Sequence, residues 1–372
     1  MKFISFGCWN KGDPRNPEYP IYHLLNKLDE FLSTTKVDFI VITGDNYYSN
    51  IKKEDPDTKT KYTLDEIKKH PKKVENRYEF QEFKQVTNHI IGGGKIGGGK
   101  IAYCNLEHLA FVFNELKRIS NEYSIPIYMC TGNHEYKKHT IFMSKTESET
   151  ESPPVETVRL PFEYDLSYES NLLDIQKDLF KCDKCKFIEK GIFVEGDITF
   201  FVINTEDKID TNNKVIEFIN QATDKIYIFG HIPILSLKEK KGNHLVVNKY
   251  LVDLFCRLRE GITVTYICAD THNYQDISIT FENGTLVNQV ILGTGGTFKL
   301  DDITDNMTEL DSITLPDKIN RIYIKKVITG NHGFGLFDTD IVNHIFIEFF
   351  DTAVGGYKPK NTKNKKYKKR RS

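Results

Sequence analysis

Short runs at residues 2–7, 37–42, 125–130, 192–203, 225–230 and 262–268 are largely apolar on both faces. That pattern predicts strands buried between helix layers, because a strand with one wet side would alternate apolar and polar residues. Between these runs Leu106, Leu109, Ala110, Phe113 and Leu116 recur at helical spacing, as do Leu251, Leu254, Phe255 and Leu258. Strands alternating with helices predict βαβ units around a central sheet. The later runs 275–281, 286–292 and 344–350 predict a meander of antiparallel strands. Two stretches break the pattern and read as insertions, near 52–104 and 138–190. The first holds a charged segment, 52–75, and the repeat Gly-Gly-Gly-Lys-Ile-Gly-Gly-Gly-Lys at 92–100. That repeat lacks the Gly-Lys-Ser/Thr ending of a phosphate cradle and predicts a flexible loop. The second holds a Ser/Thr/Glu-rich loop at 144–157. Candidate site residues lie on both sides of each insertion, so one domain is expected over 1–351, followed by a tail at 352–372.

The chemistry is concentrated where the strands end. The first strand runs into Gly7-Cys8-Trp9-Asn10, the second into Gly44-Asp45-Asn46-Tyr47-Tyr48, and the third into Gly132-Asn133-His134-Glu135. Gly230-His231-Ile232-Pro233 and Ala269-Asp270-Thr271-His272-Asn273 follow two more. Each segment alone is an ordinary turn signal. Together they place oxygen, nitrogen and sulfur donors outside the carboxyl ends of the strands, where α/β sheets build their sites. Such a donor set suits Fe, Mn or Zn.

In this order the segments resemble the calcineurin-like metallophosphoesterases, and within them the purple (tartrate-resistant) acid phosphatases. The motifs of that group run Asp-Trp-Gly, Gly-Asp-x-x-Tyr, Gly-Asn-His-Asp/Glu, Gly-His-x-Pro and Gly-His-x-His. Tyr48, three residues after Asp45, is the mark of the purple subgroup. Arg159-Leu160-Pro161-Phe162, Asn273 and the turn Gly293-Thr294-Gly295-Gly296 are lesser matches, and the similarity runs from about residue 2 to 350. The resemblance implies a four-layer α/β/β/α sandwich with mixed sheets. It also implies a dinuclear site of divalent or trivalent ions and the hydrolysis of phosphoesters, most simply monoesters. Carried over by position, Asp45 would bridge two metals, Tyr48 and His272 would complete one sphere, and Asn133 and His231 the other. His134 would protonate the leaving oxygen and, with Asn133, lie against the substrate.

Two positions depart from the motifs. Cys8 stands where the first motif has its Asp, and Asp270 where the last has its first His, so each metal loses a usual ligand. Both replacements can ligate: thiolate suits Zn and carboxylate suits Mn or Mg. A free Cys is also commonly a small buried hydrophobe. Two readings stay open: a working hydrolase, or a weakened or inactive relative with a binding or structural role.

Composition adds boundaries. The chain of 372 residues is 39% apolar and 28% charged, sufficient for a buried core. Its formal net charge is −1, and the nine cationic side chains at 358–371 leave the preceding residues ten charges negative. The basic tail is a candidate contact for nucleic acid or another polyanion. No apolar run spans a bilayer, and the opening residues read as a strand, not a signal peptide, so an intracellular setting with reduced thiols is expected for the seven cysteines. Cys182-Asp183-Lys184-Cys185 is a lone Cys-x-x-Cys for which solvated thiols are expected. His139, His244 and His344 lie outside the motifs and read as surface or core. His332 is the one to test, because loops of the resembled family approach the substrate there.

Overall fold

The apolar runs become the inner strands of two stacked sheets. The computed structural model describes residues 1–48, 50–53, 84–86, 100–103, 106–135, 138–142, 169–206, 212–223, 225–240, 243–297, 300–301, 315–341 and 343–351. In chain order the first elements are β1 (Lys2–Phe6), α1 (Pro20–Thr34), β2 (Phe39–Ile42), β3 (Asn50–Lys53), β4 (Lys84–Val86) and β5 (Lys100–Tyr103). Next come α2 (Leu106–Glu122), β6 (Ile127–Met129), β7 (Lys138–Phe142), β8 (Glu169–Asn171), α3 (Leu172–Phe180), β9 (Cys185–Phe187), β10 (Gly191–Glu195) and β11 (Ile198–Val202). There follow α4 (Asn213–Gln221), β12 (Ile226–Phe229), β13 (Leu235–Lys240), β14 (Asn243–Val247), α5 (Lys249–Phe255) and β15 (Thr263–Cys268). The last five are β16 (Tyr274–Phe281), β17 (Leu286–Leu292), β18 (Ile319–Ile328), β19 (Asn331–Asp338) and β20 (Asn343–Asp351).

One sheet has the order β20-β19-β1-β2-β6-β9 and the other β10-β11-β12-β15-β17-β16-β18. In the first, β1, β2, β6 and β9 are parallel. In the second, β11, β12, β15 and β17 are parallel. Antiparallel strands flank both parallel blocks. Three apolar cores make the layering explicit. Ile4, Ile40 and Ile127 pack with Leu24, Leu28, Phe113 and Leu116 of the helices α1 and α2. Their strand neighbours Phe3, Phe39 and Tyr128 point the other way, onto Phe200, Tyr227 and Phe229 of the second sheet. Beyond that sheet, Ile228, Val264 and Tyr266 meet Ile216, Ile219, Leu251 and Phe255 of α4 and α5. This is the expected four-layer α/β/β/α sandwich with mixed sheets. Burial of both faces of every inner strand is why these runs lack polar alternation. Each fully buried Phe among them contributes about 1.5–3 kcal/mol.

Three expectations are corrected. The run 192–203 is a hairpin of β10 and β11, since Glu195-Gly196-Asp197 turns the chain with Gly196 at φ 56°. The 286–292 run pairs antiparallel with β16 but parallel with β15. Cys182 and Cys185 form a disulfide in place of the expected thiols; the end of α3 and the start of β9 bring their Cα atoms to 4.9 Å. Arg159–Phe162, the 144–157 loop, the repeat up to Gly99 and the basic tail lie outside the described residues. No helix among the described residues is long and apolar enough to cross a membrane.

Candidate metal centre

All five predicted segments gather on one rim, where β1, β2 and β6 of one sheet and β12 and β15 of the other end. The loops interlock through backbone hydrogen bonds: Cys8 N–H donates to Gly44 O (3.1 Å), Tyr48 N–H to Asn10 O (2.9 Å) and Ala269 N–H to His231 O (2.8 Å). A Cβ at Gly132 would come within 2.5 Å of both the Asp45 amide nitrogen and its Oδ1, so the loops after β2 and β6 meet only because this residue is glycine. Cys8, Asp45 and Asp270 end their strands with φ of 52°, 53° and 51°. That left-handed conformation is uncommon outside glycine, least so for Asp and Asn, and costs about 1–3 kcal/mol per residue. Three such residues at one rim locate the strain at the site itself.

Asp45 is the hub. Its Oδ2 accepts from the Tyr48 hydroxyl at 2.8 Å and lies 4.0 Å from Cys8 Sγ. Its Oδ1 accepts from the His134 N–H at 3.0 Å and lies 3.3 Å from His231 Nε2. The Tyr48 hydroxyl also reaches His272 Nε2 at 3.2 Å. Asp270 Oδ1 is 3.9 Å from His231 Nε2. The His134 ring packs on Tyr48 at 4.4 Å with its Nε2 3.9 Å from Asp45. His134 keeps 24% of its side chain exposed while Asp45 keeps 3%, which puts the imidazole at the mouth of the site and the carboxylate at its floor. Thus Asp45, Tyr48, His134, His231, His272, Cys8 and Asp270 come together. Asn133 sits between Gly132 and His134, both of which touch Asp45.

The donors fit a cation. His231 Nε2 is fully buried with no hydrogen-bond partner, its line to Asp45 being poorly aligned, and Asn133 Oδ1 is buried in the same state. The other ring nitrogen of His231 is held by Thr43 O at 2.8 Å, which aims Nε2 into the site. Buried polar atoms normally find partners, so a buried Asn133 Oδ1 without one, and a buried His231 Nε2 whose neighbours are the Asp45 and Asp270 carboxylates, favour a ligand at this rim. Cys8 Sγ, a carboxylate oxygen of Asp45 and a nitrogen of His231 all lie within 4.8 Å of one another.

Electrostatics follow from this packing. Burial alone would lift Asp45, but the facing imidazoles of His231 and His134 outweigh it and hold the carboxyl well below its usual range. Burial would likewise lower His231, yet the Asp45 carboxylate raises it to about 10. Burial, aided by the Asp45 charge, pushes the Cys8 thiol up, while the Tyr48 hydroxyl and the Asp270 N–H favour its thiolate. Burial lowers His272.

Sequence reasoning assigned no role to Glu135, which ties the rim together. Its carboxylate accepts from Gly132 N–H (2.6 Å), Asp45 N–H (3.0 Å) and Asn46 N–H (2.8 Å). It is completely buried, and burial, with the nearby Asp45 charge, lifts it to about 7 despite those three donors. Only its place in the Gly132–Glu135 segment hinted at this. Glu135→Ala leaves three buried N–H groups without an acceptor, each worth about 1–3 kcal/mol. Denaturant unfolding should record a loss of roughly 3 kcal/mol or more; a loss below ~1 kcal/mol would remove Glu135 from this role.

Two further side chains border the site. Lys11 places its Nζ 5.6 Å from the Tyr48 ring, with burial lowering its pKa. Asp301 accepts from the His272 N–H at 2.9 Å and pairs with Lys238 at 2.7 Å, which orients the loop after β15. His332 is buried at the start of β19 with Nδ1 on Thr294 O at 3.0 Å, and burial lowers it to about 4. His344 packs against Tyr274 and Asp276, away from the rim.

The family model for calcineurin-like phosphoesterases matches residues 1–274. No curated protein matches the chain. Ten solved chains match, one of them described as the structure of PhoD. That match has 9% identity and a TM-score of 0.40, covering 93% of this chain and 71% of that one.

Proposed function

This chain belongs to the calcineurin-like phosphoesterase family, and from that premise we propose that it hydrolyses phosphoesters, most simply monoesters, as an acid phosphatase of the purple type with metal held at the Asp45 rim. The observation that carries the proposal is the convergence of Tyr48, His134, His231 and Cys8 on one buried carboxylate, Asp45. The purple affinity rests on Tyr48, whose hydroxyl lies between the Asp45 carboxylate and His272 Nε2.

In this reading up to two cations (Fe, Mn or Zn) would be held by Asp45, common to both, with Cys8, Tyr48, Asn133, His231, Asp270 and His272 as the further donors. When bound, such cations polarise a phosphoryl group and supply a nucleophile near neutral pH. Asn133 and His134 face the ester. His134, at the mouth, donates a proton to the departing oxygen, a step worth about 10²–10⁴-fold. Glu135 keeps the Asp45 and Asn133 loops in register, and the buried Tyr48 ring, packed with Cys8 and Ala269, walls one side of the floor. The domain in this proposal extends over residues 1–351, and the basic tail serves as a polyanion contact.

The departures Cys8 and Asp270 support a second reading, a weakened relative that keeps the fold and binds phosphorylated ligands without turning them over. Assay of a generic aryl phosphate with added Mn or Zn separates the two. The hydrolase reading expects slow, metal-stimulated turnover. Tight phosphate or vanadate binding with no turnover under any of these metals would favour the second.

A further inference from the structure

Four cysteines are free among the described residues, and three of them are buried, in different surroundings. Cys130 lies in the aromatic core between the sheets, and Cys268 directs its sulfur to Val290 O at 3.8 Å within a strand. These two behave as small hydrophobes. Cys8 does not share that setting. Its only apolar companions in its cluster are Tyr48 and Ala269, and its sulfur faces the Asp45 carboxylate at 4.0 Å. It also holds the left-handed backbone conformation, φ 52°, which a residue serving only to fill space has no reason to adopt.

The donors are close enough to converge on one cation once the Cys8 side moves in by about half an ångström. Tetrahedral zinc with Zn–S of ~2.3 Å and Zn–N or Zn–O of ~2.0 Å sets neighbouring donors about 3.3–3.5 Å apart. Asp45 Oδ1 to His231 Nε2 is 3.3 Å and Asp45 Oδ2 to Cys8 Sγ is 4.0 Å. The donor atoms of Cys8, His231 and Asp45 lie within 4.8 Å of one another.

We infer that Cys8, as a thiolate, joins Asp45 and His231 in binding the first and tightest cation of this centre, and so makes it selective for soft divalent ions of the zinc class over manganese or magnesium. The inference rests on the metal-centre reading proposed above. Binding releases the thiol proton and the proton on His231 Nε2 to solvent and forms metal–sulfur, metal–nitrogen and metal–oxygen bonds to Cys8, His231 and Asp45; nothing is oxidised. Thiolate favours zinc and cobalt, whereas an all-oxygen and imidazole set leaves manganese competitive.

The test titrates the metal-stripped full chain with Co²⁺, used as a spectroscopic stand-in for zinc. A sulfur-to-cobalt charge-transfer absorption in the near ultraviolet is expected to grow with the first equivalent and to stop there. It should be absent in Cys8→Ser and retained in Cys130→Ser and Cys268→Ser. Cys8→Ser should also weaken zinc by more than ~10-fold, a loss that even an outer partner's removal can reach, while manganese changes less. Cobalt that binds stoichiometrically without the band overturns the inference and leaves the metal-centre reading standing. A wild-type chain that binds no cobalt, zinc or manganese overturns both. Even if Cys8→Ser fails to fold, a wild-type chain that binds cobalt without the band still overturns the inference.

Discussion

Asp45→Asn is expected to leave less than a tenth of the wild-type metal content, with no phosphoester hydrolysis above background. The amide is nearly isosteric, so the 2.8 Å contact from Tyr48 and the 3.0 Å contact from the His134 N–H can largely persist. What disappears is the buried negative charge that Tyr48, His134, His231 and Cys8 all face. His231, Asn133 and the Tyr48 hydroxyl are neutral donors when a cation is bound, so Asp45, at the centre and most buried, provides the largest share of the charge that offsets the cost of removing the ion from water, ahead of Cys8 and Asp270 at its edge. A tenfold loss corresponds to only about 1.4 kcal/mol, less than is expected for a carboxylate shared between two ions. Elemental analysis of wild-type and variant protein, purified side by side and compared by circular dichroism, checks it. Unchanged stoichiometry in a folded variant would displace Asp45 from the centre of the site.

His134→Ala is expected to lower turnover of an aryl phosphate by about 10²–10⁴-fold with metal content unchanged. The structure separates the two roles within one loop. The backbone N–H of His134 holds Asp45, while its imidazole stands 3.9 Å from that carboxylate, packed on Tyr48 at the exposed side. Alanine keeps the first interaction and removes the second. The loss should shrink for substrates whose leaving group is a weak base, because such a group needs no proton as it departs. Equal rates for wild type and variant on a poor leaving group would show that His134 is not the acid. Lost metal would show that it is a ligand.

The inner strands and the strand-end donors were legible in the sequence for one shared reason. A strand buried on both faces must be apolar throughout, so a polar cluster at its end stands out, and five such ends occur in register with a known series of motifs. Segments with mixed demands were harder to read. The 192–203 run hid a hairpin, because the flanking residues Phe193, Phe200 and Val202 are all inter-sheet core and only Gly196 marks the turn. The Cys182–Cys185 pair gave no sign of its disulfide, since the approach of the two Cα atoms depends on how a helix end meets an edge strand. Glu135 was visible as a motif letter without a role, because accepting three backbone N–H groups from two loops is a property of their packing. The departures at Cys8 and Asp270 were legible as identities only. Their left-handed conformations and the polar surroundings of the Cys8 sulfur became visible with the fold.

The most direct test of the central claim is a single reconstitution experiment on the full chain. The protein is stripped with a chelator, reloaded with zinc or manganese, and followed for bound metal and for aryl phosphate hydrolysis in the same samples. The account predicts that both quantities fall together on stripping and return together on reloading, and that neither returns in Asp45→Asn. Hydrolysis that survives complete removal of metal, or a wild-type chain that takes up no cation at any stage, would contradict it.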